Sequence, residues 1–355
     1  MKIGIIGLPK SGKTTVFYVL TRRVAEGSNQ SNKGPHLRFG NIKVPDKRLD
    51  KIASIVNPKK VIKSEITFVD EVESVRDKYR CFSPVHIREV DALVDVIRLF
   101  KSEDVMHPLG DIDPVRDLEQ LEAELILSDL EVVERRLDKI EKELKGGRKE
   151  HERELNILKR CKEALENEEA LRGIEFDKQQ EDILRGFGFL SQKPLMILAN
   201  VDEEGIALSL PEGLRDIAER KNLTTIKFCA KLEAEILELD ESEQDKFLKE
   251  LGIKESAYNK FIQAAYSMLN LISFFTVKND ILKSWTVAQN TPANEAAGRI
   301  HTDIKRGFIK AEVVSFDDFI KYGGFAECRK NGLVRLEGKD YIIEDGDIID
   351  FKFNV

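Results

Sequence analysis

The residues best suited to chemistry lie at the start of the chain. Gly7, Gly12, Lys13 and Thr14 in GLPKSGKT match the spacing G-x-x-x-x-G-K-[ST], directly after the β-branched run of Ile3, Ile5 and Ile6. Without side chains at Gly7 and Gly12, the backbone can fold tightly and aim a row of N–H groups at a phosphate. A helix starting near Lys13 adds the positive end of its dipole. Pro9, Lys10, Ser11 and Thr15 complete the loop. Lys13 is placed to reach the β- and γ-phosphates of a nucleotide, and Thr14 to set its hydroxyl on Mg²⁺. A ligand-free Gly-rich turn is the plain alternative, but nothing in folding alone asks for the Lys13–Thr14 pair.

A loop of this kind needs a sheet to carry it. Ile66 to Asp70 (ITFVD) reads as a strand, residues 90–100 (VDALVDVIRLF) as one buried on both faces, residues 194–204 (PLMILANVDEE) as another, and residues 224–236 as a strand running into a helix. Strands alternating with helices imply a doubly wound, mostly parallel α/β domain. Val16, Phe17 and Leu20 are left to pack the first helix onto that sheet. Asp70, at a strand end, can supply the carboxylate that a P-loop NTPase needs in its Mg²⁺ shell.

Residues 115–170 have a different character. Leu118, Leu121, Leu125, Leu130, Val133, Leu137, Ile140 and Leu144 form an apolar stripe, Gly146 and Gly147 interrupt it, and Leu155, Leu158 and Leu165 resume it. This predicts an antiparallel helical hairpin. Lys142, Lys145, Arg148, Lys149, Arg153, Lys159, Arg160 and Lys162 stand around its tip. They are either a solvated face balanced by glutamates or an arm reaching RNA or a partner. From Leu271 onward, short strands (SFFTV, SWTVA, FIKAEVVSF, YIIEDGDIIDFKF) surround a helix at AAGRIHTDI, a small α+β module. His301 and Asp303 there read as capping or core hydrogen-bonding groups rather than catalytic ones.

Composition sets the limits. The chain has 355 residues, 41% hydrophobic and 34% charged, enough for two or three globular domains. A formal charge of −7 excludes a protein that coats nucleic acid over its whole surface and leaves room only for a local basic patch. The four cysteines, Cys81, Cys161, Cys229 and Cys328, are far apart and form no C-x-x-C pair, which suggests neither disulfide framework nor zinc ribbon. The N-terminal apolar run is too short for a signal or membrane segment, so a cytoplasmic protein with no membrane partner is expected.

Over nearly its full length the chain resembles the YchF-type, or Obg-like, ATPases of the translation-factor class of P-loop GTPases. The likeness rests on GLPKSGKTT at 7–15, VPDKRLDKIASIVNPKK at 44–60, residues 113–142, ILANVDE at 197–203, CAKLEAE at 229–235, and the tail at 296–323 and 336–355. It implies a P-loop G domain over 1–114 and 176–271, a coiled-coil arm over 115–175, and a β-grasp TGS domain over 272–355. It also implies ATP rather than GTP as ligand and a link to ribosomes, while the basic cluster from Lys142 to Lys162 in an otherwise acidic chain points to ribosome or RNA contact through the arm and the C-terminal domain.

Related GTPases read guanine with N-K-x-D. This chain has Asn200, Val201, Asp202 and Glu203, and the extra methylene at Glu203 misplaces the carboxylate for guanine's paired donors. Cys229, Ala230 and Lys231 resemble the loop that meets the base edge. The switches depart from the family pattern. Ser28, Asn29, Gln30, Ser31 and Asn32 stand where a Pro-Phe-x-Thr segment belongs, and Glu71, Val72, Glu73 and Ser74 follow Asp70 where a turn glycine belongs. The expectation is a Mg²⁺-dependent ATP-binding protein, with GTP as the alternative ligand, whose hydrolysis is slow or partner-dependent. The alternative is a nucleotide-gated interaction module with little or no turnover.

Overall fold

The computed structural model describes residues 1–22, 37–71, 81–145, 151–253 and 255–354. Both switch segments (28–32 and 72–74), the Gly146–Gly147 break, and Arg148 and Lys149 therefore lie outside the described residues. The strands in chain order are β1 (Lys2–Ile6), β2 (Leu37–Lys43), β3 (Lys60–Ile62), β4 (Glu65–Glu71), β5 (Ala92–Arg98) and β6 (Leu195–Asn200). They continue with β7 (Thr224–Phe228), β8 (Leu271–Lys278), β9 (Ile281–Ala288), β10 (Phe308–Val314), β11 (Arg335–Glu337) and β12 (Ile348–Phe353).

The chain forms two compact units, Met1–Ile42 with Thr67–Phe261, and Lys43–Ile66 with Ile262–Val355. The first holds a six-stranded sheet in the order β2-β4-β1-β5-β6-β7, parallel from β4 through β7. Every residue of β5 and β6 is buried, Asp95, Arg98 and Asn200 among them, as the mostly apolar central strands of a parallel sheet are. The chain leaves β1 for one side of the sheet and later crosses to the other. That switch point lies at the carboxyl end of β1, where ligands enter open α/β sheets. The parallel register sets Ile5 beside Asp70, Ile6 beside Asp95, Arg98 beside Asn200 and Asn200 beside Phe228, so the strand ends share one edge.

The helical hairpin is present in the same unit, as Pro114–Lys145 and Glu152–Glu166. Leu118, Leu121 and Leu125 join the core beside β5 and β6, whereas Val133, Leu137 and Ile140 meet Ile157, Leu158 and Leu165 in a separate cluster. Arg136 pairs with Glu154 and Lys162 with Glu134, pairs that advance in opposite directions along the two helices and make the hairpin antiparallel. Of the basic residues assigned to the tip, Lys162 is thus bound to glutamate and Arg160 lies over the Phe176 ring.

The second unit is a six-stranded sheet in the order β11-β10-β12-β8-β9-β3, with antiparallel hairpin partners β8 and β9 and a parallel β12–β8 pair, a β-grasp arrangement. Alternate side chains of β8 face opposite ways. Phe274 packs with Ala293, Ala296 and Ala297 of the helix Ala293–Ile300, while Phe275 packs with Leu49 and Ile52 of the helix Lys47–Val56 and with Phe319. Residues 43–66 thus belong to this unit, which corrects the 1–114 boundary drawn from sequence. The physical reason is β3, which pairs with β9 some 220 residues later, and a helix that needs the second face of the sheet to bury Leu49 and Ile52.

Two further details differ from expectation. YIIEDGD is a turn closed by Tyr341 Oη donating to Asp347 Oδ2 at 2.8 Å, so β12 begins only at Ile348. The helix at AAGRIHTDI breaks at His301, whose Nδ1 accepts from the Asp303 N–H at 3.1 Å and caps the short helix Thr302–Arg306. That fulfils the capping role read for His301.

Candidate nucleotide-binding site

The site is built at the carboxyl ends of β1, β4, β5, β6 and β7. After β1 the chain turns through Gly7 and Gly12, with φ of 133° and 96°, into the helix Lys13–Thr21. Both glycines are dictated by crowding as well as φ. A Cβ on Gly7 would come within 2.7 Å of the Val96 carbonyl, and one on Gly12 would collide with the Asn200 amide. Lys10 also takes a positive φ, 65°. Val16, Phe17 and Leu20 are buried and anchor the helix, as the spacing predicts. The first-turn N–H groups of such a helix have no intrahelical partners, which is what makes the turn an anion seat.

Lys13 is buried, and its Nζ donates to the carbonyls of Gly7 at 2.9 Å and Leu8 at 2.8 Å, so the ammonium lies along the loop it serves. Asn200 links three segments. Its Nδ2 donates to the Ser11 carbonyl at 2.9 Å and its Oδ1 accepts from the Ala230 N–H at 3.3 Å. Asn200 thus braces the two loops against each other. This arrangement also commits the Ala230 N–H to Asn200 rather than to a base edge, which modifies the expectation for the loop of Cys229, Ala230 and Lys231.

A cleft of about 670 Å³ opens beside this brace, lined among others by Gly12, Thr15, Phe100, Glu203, Cys229 and Lys231. Val201 is buried and packs with Cys229, Leu232 and Ile236, so its side chain supports the helix after β7. Asp202 Oδ1 accepts from the Gly205 N–H at 2.8 Å and shapes the turn. Glu203 pairs with Lys231 Nζ at 2.8 Å, both largely exposed at the cleft. Burial pushes the Cys229 thiol up, so it lines the wall as a neutral group.

The metal side of the site has more occupants than sequence suggested. Thr14 and Asp70 are brought together, and their hydroxyl and carboxylate are the hard oxygen donors that suit Mg²⁺. Between them stands Arg38 of β2, whose Nη1 lies 3.1 Å from Asp70 Oδ2 and 3.4 Å from Thr14 Oγ1. Glu71, which would repel a γ-phosphate if turned inward, instead accepts from the Ser83 N–H at 2.7 Å. Among the described residues no cluster of three or more His, Cys, Asp or Glu could hold a metal alone.

Two functional candidates escaped the sequence reading. Arg38 gave no signal there. Asp95 gave one, a lone carboxylate in the apolar run ALVDVIR. It is buried against the Gly7 turn, its Oδ2 has no hydrogen-bond partner, and burial raises its carboxyl well above the usual range against the pull of Lys13.

Comparison with known proteins bears on this geometry. Residues 271–354 match the family model YchF-GTPase_C, described as a protein of unknown function (DUF933). The chain is 39% identical to a protein of Pasteurella multocida named ribosome-binding ATPase YchF, covering 100% of this chain and 99% of that protein. It is also 39% identical to the Bacillus subtilis protein of the same name, over 99% of each. The chain belongs to the YchF family. The solved Schizosaccharomyces pombe YchF GTPase superposes with a TM-score of 0.85 at 28% identity, covering 99% of this chain and 97% of the other. The YchF fold therefore extends over both units. No helix among the described residues is long and apolar enough to cross a membrane.

Proposed function

We propose that this YchF protein binds ATP in the cleft between the P-loop and the loop after β7, hydrolyses it slowly, and acts in the cytoplasm on or near the ribosome. The observation that carries the reading is the Asn200 brace, which ties the Ser11 carbonyl of the P-loop to the Ala230 N–H of the base-side loop and makes one continuous cleft. The relatives' printed names, ribosome-binding ATPase in bacteria and GTPase in the yeast structure, support a nucleotide ligand and a ribosomal partner.

In this reading Lys13 and the loop N–H groups stabilise charge on the transferred phosphoryl group. Thr14 and Asp70 would hold Mg²⁺ where Arg38 withdraws from between them, and the ion would then supply neutralisation of the β- and γ-phosphate oxygens. Asn200 fixes the distance between phosphate and base loops. Glu203 and Lys231 face the base and disfavour guanine, with GTP the weaker ligand. The helical arm of residues 115–175 and the β-grasp module, read as a TGS domain, carry the ribosome or RNA contact. Because Lys162, one of the basic residues assigned to the tip, is bound to glutamate, the contact on the arm falls to the remaining basic residues of that cluster.

One observation favours a nucleotide-gated module with little turnover. The Glu71 carboxylate is fastened to the Ser83 N–H next to Asp70, where a γ-phosphate sensor would otherwise sit. Calorimetric titration with ATP and GTP in Mg²⁺, using wild type and Lys13→Ala, tests the binding reading. We expect ATP to bind and the variant to lose about a hundredfold in affinity, because a charge-assisted phosphate contact is removed. Identical curves for the two proteins would refute it.

A further inference from the structure

The guanidinium of Arg38 stands where the fold would seat a divalent cation. It lies 3.1 Å from Asp70 Oδ2 and 3.4 Å from Thr14 Oγ1, the two oxygens that the P-loop reading gives to Mg²⁺. Its position is built. The side chain projects from β2, on the sheet edge beside β4, and lies over the Tyr18 ring, 5.5 Å from its centroid. Asp70 is fully buried, so its charge depends on a cation held against it. The Arg38 side chain keeps 29% of its surface exposed, so the cation is not sealed in by the fold, and its contact with Thr14 sets it beside the P-loop.

We propose that Arg38 is a phosphate-binding residue of this site, a tethered cation that takes the metal's place between Thr14 and Asp70 and makes nucleotide affinity nearly independent of divalent cation. The inference rests on the nucleotide-binding reading of the cleft. Guanidinium and Mg²⁺ repel one another and cannot share a gap spanned by contacts of 3.1 and 3.4 Å, so occupancy by one excludes the other. Both answer the same need, positive charge against phosphate oxygens. Arginine does so without surrendering tightly held water, and its planar donor set suits phosphate. A site so equipped retains binding when metal is withdrawn, while losing the precise phosphate geometry that an octahedral ion imposes.

The test is calorimetric titration of the full chain with ATP, in MgCl₂ and in EDTA, for wild type, Arg38→Gln and Arg38→Lys. Wild type should change by less than about threefold between the two conditions, and Arg38→Gln should lose about tenfold or more in EDTA and recover in MgCl₂. Arg38→Lys, which keeps the charge, should stay near wild type. Unliganded thermal melts show whether Arg38→Gln folds; if it does not, wild type and Arg38→Lys still decide by their metal dependence. A wild-type affinity that collapses in EDTA would overturn the Arg38 assignment while leaving the cleft a nucleotide site. The assignment falls equally if folded Arg38→Gln matches wild type in both conditions. No ATP binding in either condition would overturn both readings.

Discussion

On the P-loop side of the cleft, the groups that join the loops face partners that a nucleotide-binding fold would ask for. Lys13 lies along the loop carbonyls, Asn200 joins Ser11 to Ala230, and the two glycines sit where a Cβ would strike Val96 or Asn200. Along the end of β4 the corresponding groups are engaged by the protein itself. Asp70 and Thr14 are bridged by Arg38, and Glu71 is held by the Ser83 N–H. Holding a phosphate draws mainly on the first side, to which Arg38 adds a tethered charge from the second. Cleaving one requires the second to place water and metal. The difference separates affinity from turnover in one chain, and the experiments below press on that separation.

The largest effect should be on turnover. No threonine stands between Thr21 and Thr67 to complete a first switch, and Glu71 follows Asp70 where the family carries a turn toward the γ-phosphate. Loss of one preorganised donor typically lowers the rate about a hundredfold to a thousandfold. Single-turnover phosphate release should therefore fall at least that far below a family member with complete switches, even at saturating ATP. Release at the pace of such a relative, abolished by Lys13→Ala, would show that the β4 side places the water by other means. Addition of ribosomes in the same assay separates a partner-dependent enzyme from a binding module.

The binding side is probed by Asn200→Ala. It removes the donor to Ser11 and the acceptor for Ala230 at once and leaves two buried backbone groups unpaired. We expect a loss of about 1–3 kcal/mol in urea unfolding and about tenfold in ATP affinity. If stability falls and affinity does not, the brace serves the fold alone and the two loops do not act as one site.

What could be read in advance follows the same division. The P-loop side was legible because its chemistry is local. Gly7 to Thr14 are contiguous, Asn200 ends an apolar run whose length and composition mark a buried parallel strand, and Cys229 follows a short strand that runs into a helix. The β4 side was not, because Arg38 meets Asp70 and Thr14 only after β2 takes the sheet edge, and no spacing in the sequence encodes that meeting. The membership of residues 43–66 was hidden for a similar reason. Leu49 and Ile52 show a helix with one apolar face but not which sheet covers it, and β3 is three residues long. Asp95 was visible and passed over, since a single carboxylate in an apolar strand looks like noise until its neighbour is known to be the Gly7 turn.

Asp95 gives a pH-dependent measure of how closely the P-loop is packed. Its carboxyl is raised in the folded state by burial, with Asp117 and Glu122 adding to the shift and Lys13 opposing it. A raised folded value means that the group's contribution to stability is complete below the unfolded carboxyl range. It is lost as pH rises from about 4 through the folded value, at about 1.4 kcal/mol for each unit of elevation. Asp95→Asn cannot ionise, so its stability should fall less steeply over that window, and the gap from wild type should shift in the variant's favour with rising pH. Parallel urea profiles for the two proteins from pH 5 to pH 8 would mean that burial does not raise the Asp95 carboxyl in the folded protein.

The smallest effect should come from the rim of the cleft. Glu203 lies where related GTPases place the aspartate that reads guanine, and its carboxylate is engaged by Lys231 at 2.8 Å. Both side chains are well exposed, so the pair contributes little to folding, and its interest is in which base it admits. Glu203→Asp withdraws the carboxylate by one methylene, loosens the pair and moves the acceptor toward the position that suits guanine's two adjacent donors. One such contact at a solvated edge discriminates weakly, so the ratio of GTP to ATP affinity should rise by about two- to fivefold, with overall affinity little changed. Lys231→Ala separates the two contributions. If release from lysine is what frees the carboxylate for guanine, this variant should move the ratio in the same direction. If carboxylate reach is what matters, only Glu203→Asp should do so. An unchanged ratio in both would place the base away from Glu203 and leave selectivity to the walls formed by Phe100 and Cys229.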